Sequence, residues 1–168
     1  MIINGYWKWE LQKLSWEISL WSKLTVFDAW SKHRLTRAVL YSAIIIRKAI
    51  EDDTEAGKAG LDNLPELRLL TETLSAKKFP YIGEKESTAR GKMWASDYDA
   101  GETMEMKIST VCNQLIHSYV WNLAYKETVN GCHGFFVASD KQKEKCVYFV
   151  SFSEWQKIIK LAITEGTF

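Results

Sequence analysis

The stretch Ser109-Thr-Val-Cys-Asn-Gln-Leu-Ile-His-Ser-Tyr-Val-Trp-Asn-Leu-Ala-Tyr125 decides how the fold is read. Cys112, Ile116, Tyr119 and Leu123 recur at spacings of 4, 3 and 4, the stripe of an amphipathic helix, and Ser109 stands where a cap belongs. Read this way, the segment is one helix reaching about Tyr125, entered from a short alternating strand over Met104 to Ile108.

Upstream, Trp7, Leu11, Leu14, Ile18 and Trp21 predict a helix over about Tyr6 to Leu24. Trp9 and Trp16 lie off that stripe, so this helix has a second aromatic face, either enclosed between two layers or presented to a partner. A longer helix follows from about Asp28 to Ile50, apolar nearly all round from Ala38 to Ile46 and therefore central. Its first half carries Lys32, His33, Arg34 and Arg37; the last two share a face that is either solvated, acid-paired or phosphate-binding.

The run Glu51 to Gly60 reads as an acidic loop ending that helix. Pro65 with Leu67, Leu70 and Leu74 predicts a short helix closed by Pro80, and residues 81–102 a polar surface excursion pinned by Trp94 and Tyr98. Downstream, Gly134 to Ser139 and Lys145 to Phe152 flank the polar Asp140 to Glu144 as a hairpin. Ser153 and Gln156 fit a capping box before a final helix that turns Trp155, Ile158, Ile159 and Ala162 inward. The expected fold is α+β and predominantly helical, a single domain over residues 1–168. It comprises a helical bundle over 5–125 and a small antiparallel hairpin with the final helix over 132–165.

Composition narrows the function classes. With 46% apolar and 26% charged residues among 168, the chain suits one compact soluble domain. Its net charge of +1 argues against broad nonspecific nucleic-acid binding, although residues 1–50 carry 8 Lys+Arg against 3 Asp+Glu while residues 51–110 carry 8 against 13. Three cysteines, an odd number, and no leader at the start point to reduced thiols in a cytoplasmic protein, and no apolar run is long enough to span a membrane. No Cys-x-x-Cys or His-x-x-x-His pair joins Cys112, His117, Cys132, His133 and Cys146, and no phosphate loop or serine-nucleophile motif is present. No metal and no cofactor are expected.

What remains is Cys112-Asn113-Gln114-Leu115-Ile116-His117-Ser118-Tyr119. Asn113 and His117, four apart, are neighbours on one helical face. Here the chain resembles the HEPN family, helical-bundle proteins of bacterial toxin–antitoxin and antiviral systems, many of them RNases, whose motif is an Arg, a polar residue often Asn, three residues, His, one residue and often Tyr. Asn113, His117 and Tyr119 match; Cys112 stands where the family has Arg. The resemblance implies a helical bundle and a dimer contact near the motif, for which Val120 and Trp121 are the candidates beside Trp9 and Trp16. It also makes His117, Asn113 and Tyr119 the candidate catalytic residues. Without the Arg, the charge growing on phosphate during RNA cleavage lacks its cation, because cysteine cannot supply one. The expectation is thus a non-catalytic RNA- or partner-binding component of a conflict system, with a homodimer or protein partner and no membrane. Three alternatives stay open: an immunity- or antitoxin-type module docking through its aromatic helix, an active metal-independent RNase using Arg34 or Arg37, and a helix whose Asn113 and His117 merely bond their neighbours.

Overall fold

The computed structural model describes residues 5–26, 28–58, 71–80, 101–125, 131–142 and 145–165. Helix α1 (Gly5–Trp21) buries Leu11, Leu14 and Ile18, as its 3–4 spacing requires. Helix α2 (Ala29–Lys58) starts where the Asp28 carboxylate accepts the Ser31 amide at 2.7 Å. It does not stop at Glu51. Arg47 pairs with Glu51 and Lys48 with Asp52, 2.8 and 2.9 Å apart across single helical turns, so the acidic run continues the helix by two further turns.

Strands β1 (Thr73–Pro80) and β2 (Glu102–Lys107) pair antiparallel, Leu74 opposite Met106 and Ala76 opposite Met104. The helix expected to close at Pro80 is therefore a strand in its last eight residues; Pro65, Leu67 and Leu70 lie outside the described residues, as do Trp94, Tyr98 and residues 81–100 of the expected excursion. Helix α3 (Ile108–Ile116) follows β2 directly, with Lys107 rather than Ser109 at its cap position, and ends at His117. Strand β3 (Ser118–Tyr125) comes next, then β4 (Cys132–Ser139), β5 (Cys146–Ser151) and helix α4 (Phe152–Glu165). Ser151, not Ser153, caps α4 by accepting the Glu154 amide at 3.2 Å.

The five strands form one antiparallel sheet in the order β2-β1-β5-β4-β3. This corrects the expected helical bundle with a small hairpin: the fold is α+β with a substantial sheet, and four helices are present among the described residues. One core joins Leu11 and Ile18 of α1, Leu35 and Ile46 of α2, Leu115 of α3 and Trp155 of α4 to Leu74, Met106, Phe135 and Val150 of the sheet. A smaller cluster of Ala124, Phe136, Ala138 and Val147, with Val120, Phe79 and Phe149 against it, lies on the opposite sheet face. Strand β4 consequently has apolar neighbours above and below, and all of it but His133 is buried.

Candidate functional site

Helix α3 and the turn after β4 build a cleft of about 590 Å³. The α3 backbone ends where His117 leaves helical geometry at φ −104°, ψ 27°, its amide still donating to the Asn113 carbonyl at 3.1 Å. The His117 carbonyl then accepts the Asp140 amide at 3.3 Å, and the buried Gln114 side chain accepts the Ser139 amide at 2.6 Å. These two bonds lock the end of β4 against the end of α3. Asn113 and His117 thereby line one wall, Asp140, Lys141 and Gln142 the other, and Arg47 of α2 reaches in from the side.

Arg47 is the residue sequence reasoning missed. Its position in the sequence gives no link to Asn113 or His117; only the packing of α3 on α2 brings it beside the α3 terminus. Its Nε donates to Glu51 at 2.8 Å, which orients the guanidinium and offsets part of its charge. Beneath the cleft wall Cys112 has no exposed surface; burial pushes its thiol up to about 12 despite the nearby Arg47 charge, so it is no nucleophile.

The remaining candidates lie elsewhere. Tyr119 is on β3, half exposed, because the segment turns from helix to strand at His117. Arg37 and Arg34 precede Arg47 by ten and thirteen helical residues, about 15 and 20 Å along the axis. Arg37 faces Glu17 of α1 at 3.6 Å, and the Arg34 guanidinium sits 4.6 Å from the centre of the Trp30 ring. Trp121 stacks on Phe135 at 5.1 Å and donates to Thr36 Oγ1 at 3.1 Å, tying β3 to α2, while Val120 packs into the cluster on the opposite sheet face. Trp9 and Trp16 are 57% and 62% exposed.

Among the described residues no three His, Cys, Asp or Glu side chains gather to hold a metal, and no helix is long and apolar enough to cross a membrane. Comparison with protein-family models, with curated proteins and with solved structures finds no match for the chain.

Proposed function

We propose that this chain binds single-stranded RNA, or its terminal phosphate, in the α3 cleft without cleaving it. The observation that carries the reading is the convergence of Arg47, Lys141 and His117 with the amide side chains of Asn113 and Gln142 on one concave surface. Two cations supply the sequence-independent attraction to phosphate, and the amides can both donate to phosphate and read a base edge. Asp140 on the same wall limits the net positive charge. The contact is therefore short, a nucleotide or two.

Cleavage by the ribose 2′-hydroxyl needs a proton acceptor, a proton donor and an uncompensated cation at the phosphate. The cleft has Asp140, His117 and Lys141 beside an Arg47 whose charge Glu51 partly offsets, and the reading without cleavage rests on Cys112 standing where the motif has its arginine. The likeness of Asn113 and His117 to part of the HEPN motif supports an RNA-linked role in a bacterial or phage conflict system, with Arg47, rather than Arg34 or Arg37, as the cation beside the histidine and with Tyr119 outside the cleft.

Titration of a fluorescent single-stranded RNA at several salt concentrations tests this. Two or three neutralised phosphates give a plot of log K against log salt with a slope of about −1.4 to −2.1. Arg47→Gln and Lys141→Gln each weaken binding about tenfold, the loss of one charge-assisted bond. Salt-independent binding, or binding unchanged in both variants, overturns the reading; so does RNA cleavage that disappears in His117→Ala and Arg47→Gln while both stay folded.

A further inference from the structure

The outer side of the paired helices α1 and α2 mixes rings with cations. On α1, Trp9, Lys13 and Trp16 follow one another at spacings of 4 and 3; on α2, Trp30, Arg34 and Arg37 do the same. The helices run antiparallel, since Trp21 meets Trp30 ring to ring at 5.2 Å and Glu17 faces Arg37, so the two stripes flank one seam on the side away from Leu11, Ile18 and Leu35. Trp30 is 55% exposed, about as open as Trp9 and Trp16. The Lys13 ammonium lies 5.5 Å from the centre of the Trp9 ring, and the Arg34 guanidinium on Trp30 has an Nε with no acceptor. Burial of the acids sharpens the charge. Residues 5–40 hold six Lys and Arg against Glu10, Glu17 and Asp28. Glu10 and Glu17 are buried against Lys13 and Arg37, whose side chains stay 41% and 43% exposed, and Asp28 is engaged in the cap of α2.

We propose that this surface binds single-stranded nucleic acid, bases stacking on Trp9, Trp16 and Trp30 while phosphates meet Lys13, Arg34 and Arg37. Charge selects an anionic partner, because the cations face outward and two of the three carboxylates do not. Placement selects among anionic partners. A single strand repeats a base and a phosphate, and this surface repeats a ring and a cation. Seven residues separate Trp9 from Trp16 and five separate Trp16 from Trp21, the neighbour of Trp30, so the rings spread over about 18 Å of helix. That is the length of about five stacked nucleotides at 3.4 Å each. Arg34 lengthens the platform, since bases stack on a guanidinium plane as they do on a ring. A bilayer fits the same side chains poorly: it takes rings on one face and cations on the other, whereas here Lys13 and Arg34 lie on the rings themselves. The surface shares no residue with the α3 cleft, Arg37 being about 15 Å along α2 from Arg47, and it stands whether or not the cleft binds RNA.

Titration of the full chain with an oligouridylate of about 12 nucleotides, read by anisotropy of a labelled strand and by tryptophan emission with an unlabelled one, tests the proposal. Binding quenches part of the emission because bases stack on the indoles. Trp9→Ala, Trp16→Ala and Trp30→Ala, each with native circular dichroism, weaken binding about tenfold, and Tyr119→Ala on β3, a comparably exposed ring, leaves it unchanged. Lys13→Gln and Arg34→Gln each flatten the plot of log K against log salt by about 0.7, beyond the slope that the cleft contributes. In the Arg47→Gln/Lys141→Gln protein the quench and its dependence on Trp9 persist, which separates this surface from the cleft. Absence of a quench overturns the proposal, as does affinity unchanged in all three tryptophan variants or a quench that disappears with the cleft variants. Inorganic polyphosphate or polyglutamate bound as tightly as the strand overturns it as well and leaves a surface for anions at large or for an acidic protein. Flotation with anionic lipid vesicles that Trp9→Ala abolishes, in a protein that binds no strand, gives the surface to a bilayer. Where a tryptophan variant fails to fold, the salt slopes of Lys13→Gln and Arg34→Gln decide, and slopes equal to the wild type overturn the proposal.

Discussion

The indole N–H of Trp155 donates to Ser42 Oγ at 2.9 Å, joining α4 to α2 inside the core, and the same hydroxyl donates to the Val39 carbonyl at 2.8 Å. Both side chains are fully buried, so the hydroxyl is donor and acceptor at once and nothing in the pair is left unsatisfied. Ser42→Ala leaves the indole N–H without an acceptor, at about 1–3 kcal/mol. The melting temperature falls by several degrees. In a double-mutant cycle the added Trp155→Phe change costs less in the Ser42→Ala background than in the wild type, the mark of a direct interaction.

The cap of α2 makes stability depend on pH. Asp28 Oδ1 accepts the Ser31 hydroxyl and amide at 2.6 and 2.7 Å, and these bonds hold its carboxyl below the ordinary carboxylate range. A carboxylate with a lowered folded pKa stabilises the fold above its unfolded pKa and stops doing so as pH falls through the folded value. Asp28→Ala therefore melts below the wild type at neutral pH, and the gap narrows as the solution is acidified. Asp28→Asn keeps the capping acceptor and loses the acid-dependent part. Thermal melts of the three proteins over a pH series check this; a gap that is constant with pH contradicts it.

All three thiols are inert in the native protein. Burial pushes Cys132, like Cys112, up to about 12, and Cys146 is only 3% exposed. Alkylation followed by mass spectrometry should find slow labelling at every cysteine in buffer and rapid labelling in denaturant. Fast native labelling of Cys112 contradicts its place under the cleft.

Gly134 sits where β5 comes too close to β4 for a side chain. A Cβ there would strike the Val150 carbonyl oxygen and come within 2.8 Å of the Phe149 ring and of Ser151 Cα. Strand β4 sits between β3 and β5 and cannot move aside. Gly134→Ala costs about 1–3 kcal/mol or more, whereas Gly5→Ala, where a Cβ meets nothing within 4 Å, leaves stability unchanged. Urea unfolding of the two variants separates these outcomes.

The helices were legible because each shows water one face and the core another. The spacing of Trp7 to Trp21 predicted α1 within a few residues, and the Val- and Phe-rich runs predicted β4 and β5. Residues 118–125 defeated the same reasoning. Both sides of β3 meet apolar neighbours, Trp121 and Leu123 in the main core and Val120 and Ala124 in the opposite cluster, so the alternation that betrays a half-exposed strand is hidden. A 3–4 stripe fits such a run equally well. In β1 only Leu74 and Ala76 are buried and the strand ends in Pro80, a pattern too short to outweigh the leucine spacing before it. At the cleft, Asn113 and His117 could be paired from their spacing alone. Arg47 could not, because its nearness to them is a tertiary fact.

Helix α3 connects β2 to β3, the two outermost strands, with no residue between Lys107 and Ile108 and only His117 before Ser118. Nine residues make a rod of about 13 Å, laid across a sheet some 19 Å wide at about 4.8 Å per strand step. It works as a tie-bar of fixed length. One inserted residue would advance the rod by about 1.5 Å and turn everything beyond it through about 100°, throwing β3 out of register with β4 and swinging His117 away from Asp140. A change of length here is felt at both margins of the sheet at once, because each end of this one helix runs straight into an outer strand.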